Sequence, residues 1–212
     1  GNLGMYMVNG GTGRNSGTIT VGASDVSNEL FSVGMAAGYI GDKTTAPTTG
    51  AIENSGTINV NGEYSIGMYG AQSGTTVTNN KDIVLNASNT TGIYVEEGAK
   101  AINNGSIRTG ASGLSNVTGV VLGSGSTLTN NGVINISGTT SKGALLKGGT
   151  IANYGTITVS GAGSKETDSL NSTPTTKVLG TIAINAPAGA STATITANGV
   201  TVTPTVVKTA AR

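Results

Sequence analysis

Apolar side chains fall at every second position in short runs along this chain, and the runs are near copies of one another. Residues 15–21 read NSGTITV; NSGTINV follows at Asn54, NNKDIVL at Asn79, NNGSIRT at Asn103, NNGVINI at Asn130 and NYGTITV at Asn153. Strand side chains point alternately to opposite faces. Ile19 and Val21, Ile58 and Val60, Ile83 and Leu85, Ile134 and Ile136, and Ile157 and Val159 therefore share the inward parity, and Thr20, Asn59, Val84, Arg108, Asn135 and Thr158 face out. A second run places Gly beside apolar residues: LGMYM at Leu3, VGMAA at Val33, IGMYG at Ile66, TGIYV at Thr91, TGVVL at Thr118 and KGALL at Lys142. The same rule turns Met5, Met35, Met68, Ile93, Val120 and Ala144 inward. A third short run, such as TVTN at Thr76 or TIAN at Thr150, leads into each Asn motif. No stretch holds a 3.6-residue apolar period long enough for a helix.

Three strands per unit of about 24 residues, separated by Gly, Asn and Ser turns, cannot bury their apolar side within one unit, so the units must stack. The pattern predicts an all-β parallel β-helix (solenoid) with three short strands per coil and six to seven coils. Asn54, Asn79, Asn103, Asn130 and Asn153 fall on the inward parity, where stacked amides form a hydrogen-bonded ladder. The Gly two residues later, at Gly17, Gly56, Gly105, Gly132 and Gly155, is expected to supply backbone angles that a Cβ would penalise, and the third copy departs with Asp82. The repeats span 1–160, with loop insertions at 22–31 and 39–49 and a shorter one at 110–116. A polar insertion loop is expected at 161–176, and three of these four leave the corner after the Asn-motif strand. Residues 177–212 form one or more terminal coils or a junction: VLGTIAINAPAG suits one more Gly-motif strand, and STATITANGVTVTPTVV suits a hairpin about Asn198 and Gly199 or further rungs.

Composition narrows the function. Gly makes up 35 of 212 residues, with one Phe and no Trp, so the core must be thin and built from small and β-branched side chains. A net charge of +1 gives no electrostatic footprint for nucleic acid. No apolar run approaches the 18 or so residues of a membrane-spanning helix, so no membrane insertion is expected of this segment. The chain opens inside a repeat without a signal peptide and reads as part of a longer protein. With no His and no Cys there is no Ser-His-Asp triad, no Cys nucleophile and no ordinary zinc or haem site. Glu96 and Glu97 are adjacent and read as a solvated corner beside Lys100 rather than as a glycosidase pair. A Thr file that would suit ice binding is broken at Asp82, Val84, Arg108 and Val133. The expectation is a protein that is not an enzyme, with no cofactor and no metal.

Tyr6, Tyr69 and Tyr94 share the outward position of the Gly-motif strands, and aromatics beside Gly make a platform for a sugar ring or a protein partner. Insertions in a solenoid often line a binding face, which adds Asp25, Glu29, Asp42, Lys43, Lys165, Glu166 and Asp168 as candidate ligand-binding residues.

The pairing of NSGTINV with SIGMYG, and of NNGVINISG with GALL, over residues 1 to 160, resembles the passenger region of very large type V autotransporter adhesins, particularly fusobacterial ones. The resemblance implies a right-handed β-helical stalk exported across the outer membrane and displayed on, or released from, the bacterial cell surface. It implies attachment to a host-cell receptor or glycan, or to the surface of partner bacteria, with a C-terminal translocator barrel elsewhere in the parent protein. The alternatives are a purely structural spacer stalk with no ligand of its own and a β-helical carbohydrate-active enzyme.

Overall fold

Three parallel sheets wind into a three-sided solenoid in a computed structural model that describes residues 1–169 and three short strands beyond them. The glycine face stacks Leu3–Met7, Val33–Ala37, Ile66–Ala71, Thr91–Glu96, Thr118–Leu122, Lys142–Leu146 and Lys165–Ser169. The asparagine face stacks Gly11–Asn15, Gly50–Asn54, Thr76–Asn79, Lys100–Asn103, Thr127–Asn130 and Thr150–Asn153, and the third face stacks Thr18–Val21, Thr57–Val60, Asp82–Leu85, Ser106–Thr109, Val133–Ser137 and Thr156–Ser160. Among the described residues the one helical element is a 3₁₀ turn, Val26–Asn28.

The alternation places the core. Met35, Met68, Ile93, Val120 and Ala144 form a fully buried column on the glycine face, opposed by Ile58, Ile83, Ile107 and Ile134 on the third. Met5, Ile19, Ile157 and Val159 point inward but are only partly covered, because they lie in the end coils. One outward expectation fails: Val84 is buried, since the backbone at Gly110 lies over it while Asn59 and Arg108 flank it in register.

The asparagines form the expected ladder and extend it to Asn15. Each amide Nδ2 donates to the next Oδ1 at 2.8–2.9 Å, from Asn15 through Asn54, Asn79, Asn103 and Asn130 to Asn153. The steps are 39, 25, 24, 27 and 23 residues, so the ladder holds its geometry whatever the corners insert.

The glycines after the ladder act differently from expectation, since none of the five has positive φ. They permit close approach: a Cβ on Gly56, Gly132 or Gly155 would sit 2.0 Å from the carbonyl oxygen of the coil before. Register also sets Asp82 opposite Thr57 and Ser106, so the residue in the glycine's place is Lys81. The spacing adjusts there: Asp82 N to Gly56 O stretches to 3.2 Å and Ser106 N to Lys81 O shortens to 2.6 Å. Asp82 itself accepts two bonds from the Arg108 guanidinium, at 3.0 and 3.2 Å.

The first long insertion follows the last strand of coil one and the second follows the first strand of coil two, and each folds back on itself, with Asp25 bridging Leu30 and Tyr39 bridging Thr48. The expected loop from Gly161 is shorter than its polarity suggested. Lys165–Ser169 joins the glycine face beside Lys142–Leu146, with Thr167 in the inward column after Ala144, where its small side chain is buried; residues 170–176 lie outside the described set. Ile182–Ile184 pairs with Thr150–Asn153 on the asparagine face, not the glycine face, with Ile182 in register with Ile151. Ile195–Ala197 and Val200–Val202 pair antiparallel, as a hairpin would.

Candidate functional site

Each glycine-face strand turns two positions outward, and stacking converts them into columns. One column runs Leu3, Val33, Ile66, Thr91; the other runs Tyr6, Ala36, Tyr69, Tyr94. The outward positions of the third face are mostly Thr, Asn and Ser, whereas these columns are apolar and aromatic. Where Ala36 stands between two tyrosines the second column is notched, and an open groove of about 490 Å³ forms over it. Ala36 and Val33 make its floor, at 3% and 7% exposure, and Leu3, Tyr6, Phe31, Ile66, Tyr69 and Tyr94 its walls, with Glu96 at the rim.

The repeat glycine keeps this sheet tight. A Cβ on Gly34, Gly67 or Gly92 would come within 2.5–2.7 Å of the next coil's carbonyl and press on an Ile methyl of the third face. The tyrosines on adjacent strands are thereby held close, Tyr69 and Tyr94 with ring centroids 5.8 Å apart and planes tilted by 37°. Tyr69 donates its hydroxyl to Glu96, and Tyr6 donates to the Gly38 carbonyl at 3.3 Å. Burial first, then the Glu96 carboxylate, pushes the Tyr69 and Tyr94 phenols above the usual range. Lys147 Nζ stands 5.9 Å from the Tyr94 ring centroid.

Of the candidates from sequence, the structure gathers Tyr6, Tyr69 and Tyr94 along one groove and leaves the charged ones outside it. Asp25 accepts from Ser27 and Asn28 within its own loop, and both hold its carboxyl below the ordinary value, Ser27 most. Glu29 caps the 3₁₀ turn in a left-handed conformation, φ 57°. Asp42 accepts from the Tyr39 hydroxyl and from Thr44 and Thr45, which pull its carboxyl down, Tyr39 foremost; its neighbour Lys43 is exposed. Lys165 pairs with Asp168 at 3.3 Å, and Glu166 is exposed on the glycine-face strand Lys165–Ser169.

Residues 1–104 match the family model described as the BigA third pectate lyase-like domain. That span, a little under half of the chain, contains the whole groove. No curated protein and no solved structure matches the chain.

Beyond the three tyrosines, the sequence does not point to Leu3, Phe31, Val33, Ala36, Ile66 or Glu96 as groove residues. Glu96 does not lie in the corner expected of it: parity two beyond Tyr94 puts it on the outward face, and Glu97 turns the corner, with φ 51°. Leu3 and Ile66 share the parity of the inward Met5 and Met68, so alternation hid them; the intervening glycine and the Met both face the core and leave the strand start outside. Phe31 has no parity signal, because it comes from an insertion.

Proposed function

We propose that this chain is a segment of the exported passenger of a bacterial cell-surface adhesin, of autotransporter type, held at the outer membrane by a translocator barrel outside this sequence. It is not an enzyme and uses no cofactor; its glycine face binds a receptor on host cells or partner bacteria, and the remaining coils space that surface from the cell. The observation behind this reading is the aromatic groove: an apolar hollow walled by three tyrosines on the glycine face. Exposed apolar hollows of this kind mark binding sites more often than accidents. The similarity of residues 1–104 to a domain of BigA fits the reading, since that span includes the groove. Glu96 is the single carboxylate of the lining, where glycoside cleavage would want two.

The test is attachment of the purified chain to host cells and partner bacteria. Changing Tyr69 and Tyr94 together to Ala should weaken saturable binding about tenfold or more, the loss expected of a paired aromatic hot spot, with the melting temperature little changed. Equal binding by the variant would remove the groove from the account. A folded wild-type chain that binds neither surface would favour the spacer alternative.

A further inference from the structure

The chemistry of the groove walls narrows its ligand, and this step rests on reading the groove as the binding surface. Tyr6, Tyr69 and Tyr94 offer ring surface, Glu96 is the one charged side chain in the lining, and the remaining walls and floor are apolar. An anionic ligand would meet the Glu96 carboxylate across a medium of reduced dielectric, where like charges repel strongly. A primary ammonium carries three N–H donors, and one Glu96 oxygen already accepts from Tyr69. Burying such a group against apolar walls would leave donors unmet, which costs more than the contact returns. A quaternary ammonium brings positive charge and methyl surface with no donor to satisfy.

The chain itself shows that this aromatic column accepts a cation, since the Lys147 ammonium stands against Tyr94. Ala36 separates Tyr6 from Tyr69 by two coil steps in register. At roughly 4.8 Å per step, a cation seated over Ala36 would lie about 5 Å from the Tyr6 and Tyr69 positions on either side, inside the ~6 Å reach of a cation–π contact. We propose that the groove binds a quaternary ammonium group of the choline type, its methyl groups against Tyr6 and Tyr69 over Ala36 and its charge toward the Glu96 carboxylate that Tyr69 holds. Recognition then reads a methylated cationic head group on the target surface.

The experiment titrates the folded chain with choline, with tetramethylammonium and with the uncharged tert-butyl analogue of choline, followed by tyrosine fluorescence, which no Trp obscures. Both cations should saturate the signal, and the uncharged analogue should bind about tenfold more weakly, the share that charge contributes at a desolvated aromatic site. Ala36→Tyr, which fills the notch from the outside, should abolish the response, and Glu96→Gln should reduce affinity several-fold. Equal affinity for the uncharged analogue, no saturation by either cation, or an unchanged response in Ala36→Tyr would overturn the proposal. Phosphatidylcholine vesicles, set against phosphocholine coupled to a soluble carrier, tell a lipid source from a glycan-borne or protein-borne one, and binding to either supports the chemistry. Failure of choline while the Tyr69 and Tyr94 variant still loses cell attachment would remove the ligand class and leave the groove as the binding surface.

Discussion

Asparagine does two jobs in this molecule, and burial separates them. Asn103 is fully buried; it accepts from Asn79 and donates to Asn130, with further contacts to the Gly105 and Val133 carbonyls. Its neighbour Asn104 also makes two amide bonds, to Asn80 and from Asn131, but in solvent. Truncating Asn103 to Ala leaves the Asn130 oxygen buried without its ladder donor, so Asn103→Ala should cost about 2–4 kcal/mol, whereas Asn104→Ala should cost under about 0.5 kcal/mol because water replaces the partners. Urea unfolding of the two variants checks this, and equal losses would mean that the buried ladder contributes no more than the outer one. The ladder was legible because it needs only parity and one repeated residue type. The role of the following glycine was not: a sequence shows that a Cβ is missing, and the carbonyl of the preceding coil, 2.0 Å from where that Cβ would stand, is what explains it.

At the scale of the element, the glycine-face strand is the piece that joins packing to function. Its Gly lets neighbouring coils close up, its next residue enters the core, and the residue after that stands in the outward column, so a change at the Gly should be felt in the groove. In Gly92→Ala the new Cβ would meet the Gly119 oxygen at 2.5 Å and an Ile107 methyl at 2.6 Å, while at Gly22 nothing lies within 4 Å. Gly92→Ala should lower stability by about 1–3 kcal/mol through overpacking and loosen the Tyr69–Tyr94 pair, and Gly22→Ala should be close to neutral. Thermal melts followed by near-ultraviolet tyrosine dichroism would register both effects, and a neutral Gly92→Ala would refute the close-approach account. Strand order, inward columns and the corner of each insertion could be read from periodicity. The strand at Lys165–Ser169 could not, since its inward residue is Thr167 and its flanks are charged, and a polar strand in a polar stretch has no contrast to betray it.

Over the whole molecule, regular coils extend the surface while the departures collect near one end. The two long insertions flank the second coil's glycine-face strand, which carries the Ala36 notch, Phe31 comes from the first of them, and the tyrosines around the notch come from the first, third and fourth coils. In a stack where each coil touches only its neighbours, such a cluster can be altered without unfolding coils far from it. The groove was half legible: alternation gave its three tyrosines a common face, but the notch depends on which small residue falls between them in register. The step of 39 residues between Asn15 and Asn54, against 23–27 elsewhere, hides that register from a fixed period.

The claim that one of the three faces does the binding can be tested by placing a bulky charge on each in turn. Attachment of the purified chain to its target surface would be measured for Ala36→Arg on the glycine face, Thr78→Arg on the asparagine face and Asn135→Arg on the third, all outward positions. The account predicts that Ala36→Arg abolishes attachment and the other two leave it within about twofold, as expected of substitutions outside an interface. Loss of attachment from Thr78→Arg or Asn135→Arg with Ala36→Arg unaffected would contradict it.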